Sequence, residues 1–395
     1  MSDKREVVVV SGVRAPIGSF GGTLKDFSSS ALGARVVKEA IARAKIDPGR
    51  IGQLVCGNVI HGEARDMYVS RAIALDAGMT KESCALTLNR LCGSGLQAIV
   101  SAANAIQLGD TDAAVGCGVE TMSRAGYLMP AARWGARMGD TRMIDMMVGA
   151  LTDPFSPNHM GITAENIAEQ FHISREEQDA LSLESQKRAV AAIAAGHFKT
   201  QIVPIEIQSR KGTVLFDTDE YPKADASLES LAKLKPAFKK DGSVTAGNAS
   251  GINDGAAAVV LMETAAAASA GLKPLARLVS YAVAGVDPSI MGTGPIPAVK
   301  LALQRAGLSV KDLDVIESNE AFAVQALCVS RGLDFDPAKV NPNGGAVALG
   351  HPLGATGAIL TVKCLYELAR IGKRYGLVTM CIGGGQGIAA IFERL

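Results

Sequence analysis

The chain has 395 residues and is 48% hydrophobic, enough for two or three packed domains rather than one. Lys and Arg total 40 against 39 Asp and Glu, so no global field points to nucleic acid or an anionic membrane, and any anionic ligand must be held by a local site. Aromatic residues make up 4%, which argues against base-stacking platforms, and the 43 glycines cluster in short loops, as tight strand-to-helix turns do.

The chain opens with a charged segment and four valines, Val7 to Val10, too short for a signal peptide or a membrane span and long enough for a buried strand. Ser30 to Lys45 carries a helical apolar pattern, Leu54 to Val59 reads as a strand, and Val69 to Ala77 as a helix. Ala85 to Leu88 leads through Arg90-Leu91-Cys92-Gly93-Ser94-Gly95 into an apolar helix, Leu96 to Leu108, and Ala113 to Val119 is a further strand. Buried strands alternating with helices define an α/β class, with a sheet covered on both faces. From about Thr121 to Ala246 the chain turns Met-rich and charged, with helices at Thr163 to Gln170 and Arg175 to Ala195 and a polar run from Ser209 to Asp225. This segment reads as an insertion, and Ala256 to Met262 as a strand returning to the first sheet.

The last third repeats the rhythm. Leu275 to Ala284 reads as a strand, Ile296 to Ala306 as a helix, and Val315 to Glu317 as a strand entering Asn319-Glu320-Ala321-Phe322 and a helix to Arg331. A glycine-rich turn, Gly344 to Gly357, precedes helix Ala358 to Arg370, and strands Tyr375 to Met380 and Gly387 to Phe392 close the chain. In both thirds a glycine-rich turn with one reactive side chain opens a long helix that is followed by a buried strand, which implies an internal duplication. The expected division is an N-terminal half at 1–120, completed by 247–270, an inserted loop domain at 121–246, and a C-terminal half at 271–395. Seven scattered cysteines do not make a disulfide framework, and no His/Cys spacing suits zinc, so no metal is expected. The ending Phe392-Glu393-Arg394-Leu395 matches no retention or peroxisomal signal, which leaves the cytoplasm as the expected location.

Four segments place a reactive or polar group among apolar and glycine residues. Cys92 stands at a helix start, where the dipole and free N–H groups favour thiolate, although a small buried core cysteine fits the position equally. His351 in Gly350-His351-Pro352-Leu353-Gly354 sits on a constrained loop as a positioned base would, or as a satisfied structural histidine. Cys381 precedes Ile382-Gly383-Gly384-Gly385, whose backbone N–H groups are free to face an oxyanion; the alternative is a tight turn with an incidental cysteine. Asn319 ends a strand and begins a helix, as an N-cap also does.

Taken in order, these four segments resemble the thiolases, and within them the bacterial acetyl-CoA acetyltransferases and β-ketothiolases of polyhydroxyalkanoate metabolism. The likeness extends through SGVRAPIGSFGGTLKD, HMGITAENIAE and GNASGINDGAAAVVLM, so it covers essentially the whole chain. It implies duplicated βαβαβαββ halves in α-β-α-β-α layers. It also implies reversible, ping-pong transfer between acyl-CoA and acetyl-CoA, with coenzyme A and acyl-CoA as substrates and no permanently bound cofactor. By the same resemblance Cys92 is the nucleophile, His351 its base, and Cys381 the second acid/base, whose thiol can be tuned toward neutrality. Asn319, through a water, and His351 hold the enolate, and the N–H groups of Cys92 and Gly383 form a second oxyanion hole. Leu151, His159, Met160, Phe238, Ala246, Ser250 and Phe322 line the pantetheine tunnel, with Met291 at the acyl end; core packing is the other reading of Met160 and Met291. Where relatives carry Arg or His for the nucleotide, this chain has Tyr221-Pro222-Lys223-Ala224, and Lys223 offers only a point charge. Homotetramers built from tight dimers are implied, with Tyr127 to Met147 as a contact loop. A ketoacyl synthase would pair its cysteine with His/His or His/Asn, so Cys381 favours thiolase. The alternatives within the family are a broad-chain degradative 3-ketoacyl-CoA thiolase and a non-catalytic acyl-CoA carrier, which would be expected to lack one or more of the four active groups.

Overall fold

The structure is a computed structural model that describes residues 5–209 and 212–395. Met1 to Lys4 of the charged opening, and Arg210 and Lys211 within the polar run, lie outside them. The first half comprises β1 (Val7–Arg14), α1 (Ser29–Ala44), β2 (Gln53–Gly57), α2 (Val69–Asp76), β3 (Cys84–Leu88), α3 (Ser94–Leu108) and β4 (Ala113–Thr121). After α4 (Met160–Gln170) and α5 (Arg175–Ala194), β5 (Asn253–Glu263) enters the sheet. The second half comprises β6 (Ala276–Gly285), α6 (Pro295–Ala306), β7 (Val315–Ser318), α7 (Ala323–Leu333), α8 (Leu353–Ile371), β8 (Tyr375–Ile382) and β9 (Gln386–Arg394).

The duplication is visible in strand order. The first half runs β1-β5-β4-β2-β3, with β1, β5 and β4 antiparallel to their neighbours and β4, β2 and β3 parallel. The second runs β6-β9-β8-β7 with the same alternation, and the place of β3 is reduced to one parallel bridge between Ile316 and Val340. Among the described residues the two half-sheets join only at β1 and β6, through the pairs Val8–Arg277 and Val9–Ala276.

The alternating strand faces explain the layers. Val8, Val10, Leu54, Cys56 and Val115 pack on α1 and α2. Val7, Val9, Val55 and Ala114 turn the other way, onto α3 and α8, where Val378, Met380, Ile388 and Ala390 of the second sheet meet them. Leu377, Ala389 and Ile391 face outward onto α6 and α7. The order is therefore helix, sheet, helix pair, sheet, helix.

The central pair crosses backbone to backbone. A Cβ on Gly95 would lie 2.7 Å from the Ala358 nitrogen, and one on Gly357 would lie 2.2 Å from the Leu96 nitrogen. Only glycine permits this contact. It brings together the first turns of α3 and α8, and the loops ahead of them carry Cys92 and His351.

Two segments differ from the sequence reading. α8 begins at Leu353, five residues before the expected Ala358, because its glycine-rich first turns are stabilised by packing on α3 and not by local propensity. The polar run contains one arm of a hairpin, Ile205–Ser209 paired with Gly212–Phe216.

Candidate active site

Cys92 lies one residue before the N-cap of α3, Gly93, so it precedes the first helical turn instead of belonging to it. The preceding residue, Leu91, has φ 43°, a left-handed conformation costly for a branched side chain. That bend turns the cysteine toward a chamber of about 50 Å³ lined by Leu91, Cys92, Ala150, Leu151, His159, Met160, Ser250, Met291, Ala321, Phe322, His351, Leu353 and Gly383. Nine of the residues expected from the sequence thus meet at one chamber. Leu91, Ala150, Ala321 and Leu353 were not singled out; as apolar residues they give no sequence signal of their own.

Burial of the Cys92 sulfur pushes its pKa up to about 11, while the N–H groups of Gly383 and Cys92 itself, both donated to the sulfur, pull down. The expectation of a stabilised thiolate is therefore corrected: desolvation outweighs the helix terminus, and the resting group is a thiol. Cys381, near the end of β8, is fully buried among Met160, Met291, Ala321 and Phe322. Burial, with Cys92 beside it, raises its thiol well above the ordinary value, so the expected tuning toward neutrality is corrected as well.

His351 is buried, and burial lowers its pKa to about 4, so the imidazole is neutral. The Thr356 hydroxyl donates to Pro352 O at 2.9 Å and so accepts from His351 Nδ1 at 2.6 Å. That assignment leaves Nε2 with its lone pair, the tautomer a base requires. Asn319 Nδ2 lies 3.4 Å from Nε2. Asn319 Oδ1 is buried with no protein partner, an acceptor suited to a water or a ligand. The His351 backbone N–H donates to Asn253 Oδ1 at 3.0 Å, which ties the loop to β5. Neither Thr356 nor Asn253 was identified from the sequence, since each acts by contacts that only folding creates.

The remaining expected residues lie around the entrance or apart from it. Phe238 stacks on His159 with ring centroids 4.6 Å apart and meets Phe322 edge-on at 6.1 Å. Lys223 and Ala246 line a separate recess of about 280 Å³ with Gln186, Tyr221, Asp225 and Ser230. Lys223 Nζ sits 5.9 Å from the centre of the Tyr221 ring, a cation–π contact that draws the charge back over the protein. Among the described residues no cluster of His, Cys, Asp and Glu could hold a metal ion. No helix among them is long and apolar enough to cross a membrane.

The chamber brings together a thiol, a neutral imidazole and converging N–H donors, with a second thiol buried beside it, groups that acyl transfer can use. The family model described as thiolase, N-terminal domain, matches residues 7–265, and that described as thiolase, C-terminal domain, matches residues 272–394. The chain is 64% identical over 392 residues to beta-ketothiolase BktB of Cupriavidus necator, covering 99% of this chain and 100% of that one. It is 51% identical over 393 residues to acetyl-CoA acetyltransferase of Escherichia coli, at 99% and 100% coverage. Human mitochondrial 3-ketoacyl-CoA thiolase superposes with TM-score 0.97 at 45% identity, covering 99% of both chains. The structure of that enzyme in complex with CoA matches at TM-score 0.96 and 45% identity, over 99% of this chain and 98% of that one. Two like halves, each meeting its own thiolase model and together enclosing a cysteine–histidine chamber, make this chain a member of the thiolase family and an acyltransferase.

Proposed function

We propose that the enzyme cleaves 3-ketoacyl-CoA with coenzyme A, and runs the reverse condensation of acyl-CoA with acetyl-CoA, through an acyl group on Cys92. The observation that carries this reading is the convergence of Cys92, Gly383 and a neutral His351 with an unprotonated Nε2 on one small chamber.

In thiolysis the Cys92 sulfur bonds to the substrate's C3 carbonyl carbon while His351 Nε2 takes its proton. The carbonyl re-forms as the C2–C3 bond breaks, leaving acyl-Cys92 and the enolate of acetyl-CoA. Cys381 protonates that enolate and becomes a thiolate; burial makes it a weaker acid than an ordinary thiol, but the enolate carbon is more basic still, and the thiolate so formed is a strong base for the next thiol. Protonated Nε2 and a water on Asn319 Oδ1 face the enolate oxygen. The N–H groups of Gly383 and Cys92, donated to the resting sulfur, pass to the thioester carbonyl once the sulfur is acylated. Incoming coenzyme A loses its proton to Cys381, its sulfur displaces Cys92 from the acyl carbon, and the imidazolium returns the proton to Cys92.

The pantetheine arm passes His159, Phe238, Ser250, Leu151 and Phe322, Met160 and Met291 bound the acyl end, and the recess at Lys223 and Ala246 takes the nucleotide. Residues 121–246 act as the loop domain that binds coenzyme A, between halves at 1–120 with 247–270 and at 271–395. The oligomer is a homotetramer: Trp134 is 81% exposed and Met138 97% exposed on the segment from Tyr127 to Met147, and β3 ends the sheet as an unpaired edge with Leu86 exposed. The enzyme works in the cytoplasm, needs no permanently bound cofactor, and engages neither nucleic acid nor membrane.

The test is coenzyme A-dependent cleavage of acetoacetyl-CoA beside 3-ketovaleryl- and 3-ketohexanoyl-CoA, with Cys92→Ser and Cys381→Ser as variants. Cys92→Ser should form no acyl-enzyme, and Cys381→Ser should acylate but fail to condense. Wild-type turnover in both variants, or no cleavage of any substrate by the wild type, overturns the reading.

A further inference from the structure

Beside the chamber, and absent from the mechanism above, lies a fully buried carboxylate. Glu120, near the end of β4, is 0% exposed and forms no ion pair with any described residue. Its oxygens accept from Asn58 Nδ2 at 3.1 Å, Ile60 N at 3.0 Å, Val59 N at 3.1 Å and Gly354 N at 2.8 Å. Asn58, Val59 and Ile60 follow β2 in the first half, whereas Gly354 lies in the first turn of α8, three residues after His351. Ile60, Met122 and Leu353 form an apolar cluster against which Val59 and Cys92 pack, so the clamp closes around the wall behind the nucleophile.

We propose that Glu120 is a positioning residue of this reaction: its carboxylate fastens the His351 loop of one half to the Cys92 wall of the other and sets the charge that the Cys92 sulfur faces. The inference rests on the assignment of Cys92 as nucleophile and His351 as base. An apolar side chain here would strand four buried donors, so some acceptor is needed for folding alone; what folding does not require is that the acceptor join the His351 loop to the wall at Cys92. Every partner here is a donor, so the cage is shaped for an ionised acceptor, while burial holds the proton on to about pH 8. The negative form raises the Cys92 thiol and also that of Cys56 on β2. Asp66, in the 3-10 turn at Ala64–Tyr68, is the carboxylate whose field in turn reaches Glu120, and Glu63 beside it pairs with Arg124. Glu120 thus couples two requirements, the aim of the base and the readiness of the thiol.

In Glu120→Gln one acceptor becomes an NH2 group facing N–H donors, and the clamp opens on that side. Small misplacements of reacting groups cost up to about a hundredfold in rate. The expected result is a fall in kcat for thiolysis of about tenfold to a hundredfold with KM within about threefold. Alkylation of Cys92 by iodoacetamide, which needs no turnover, should move to a lower pH midpoint because the nearby negative charge is gone. Wild-type kcat with an unmoved alkylation midpoint overturns the proposal, as does a loss of kcat that follows melting temperature while the midpoint stays fixed. Should Glu120→Gln fail to fold, Gly354→Ala keeps the carboxylate and places a Cβ 2.8 Å from its Oε2. Its kcat should fall about tenfold at unchanged KM, and an unchanged kcat overturns the proposal. If the wild type alkylates at Cys92 but cleaves no 3-ketoacyl-CoA, the functional assignment fails on its own.

Discussion

Thr356→Val separates positioning from chemistry most sharply. The hydroxyl accepts from His351 Nδ1 at 2.6 Å and hands its own proton to Pro352 O, so it fixes which ring nitrogen is free. Valine keeps the branched shape in a fully buried position and removes the acceptor. When Nε2 takes the Cys92 proton the ring becomes cationic, and the lost bond is then charge-assisted, worth about 1.5 to 3 kcal/mol. That corresponds to roughly 10- to 150-fold in the rate of acylation. Binding contacts are untouched, so KM should stay within about twofold, and Thr356→Ser, which restores the hydroxyl, should recover most of the rate. The assay is single-turnover formation of acyl-Cys92, read by mass, beside steady-state thiolysis, with melting temperature recorded for each variant. Thr356→Val acylating at the wild-type rate would show that the tautomer is not set here, and the assignment of Nε2 as the base would fall with it.

Burial holds His351 at about 4, below its ordinary 6.5, so the acid limb of kcat/KM should lie near 4 and not near 6.5. In the same window the unfolded chain binds the proton that the folded chain refuses, so this group makes stability rise with pH from about 4 to 6.5; kinetics paired with circular dichroism checks both. Glu120 slopes the other way: its raised value of about 8 against 4.5 gives a contribution present below 4.5 and lost as pH climbs through 8. Lys363 Nζ lies 2.7 Å from Glu317 Oε2 and from Gly344 O, with both side chains nearly inaccessible, so Lys363→Met strands a buried carboxylate and should cost about 3 to 5 kcal/mol by denaturant titration. The double change Lys363→Met with Glu317→Leu should recover most of that loss. Phe238→Ala removes the ring stacked on His159 and should raise KM for coenzyme A by roughly 2- to 10-fold with kcat little changed.

The elements were legible because buried strands and packed helices write their periods into the chain: β1, α3, β4, α6 and β8 lie within a few residues of where the sequence puts them. The glycine-rich motifs were legible because few other structures need a cysteine or histidine so flanked. What local sequence lacks is the surroundings. The thiol at 92 is expected to be acidic from its helix terminus and that at 381 to be tuned toward neutrality by the role the resemblance implies, but the surrounding apolar packing decides against both, and it is assembled from segments over two hundred residues apart. Thr356, Asn253 and Glu120 escaped notice for the same reason, as ordinary polar residues whose partners are remote. The start of α8 was misplaced because glycines that look like a turn are held helical by the contact with α3.

The narrow seam between the half-sheets bears on how the molecule becomes active. Each half has its own strands and outer helices, yet Cys92 comes from one and His351 and Cys381 from the other. Among the described residues the sheets themselves share only a pair of residues on β1 and β6, so the halves are held by the core around the two central helices and by the bonds from the His351 loop to Asn253 and Glu120. Without that packing, a chain with all its strands and helices would still lack the chamber, because both halves line it. Turnover is therefore a direct gauge of how the two halves pack.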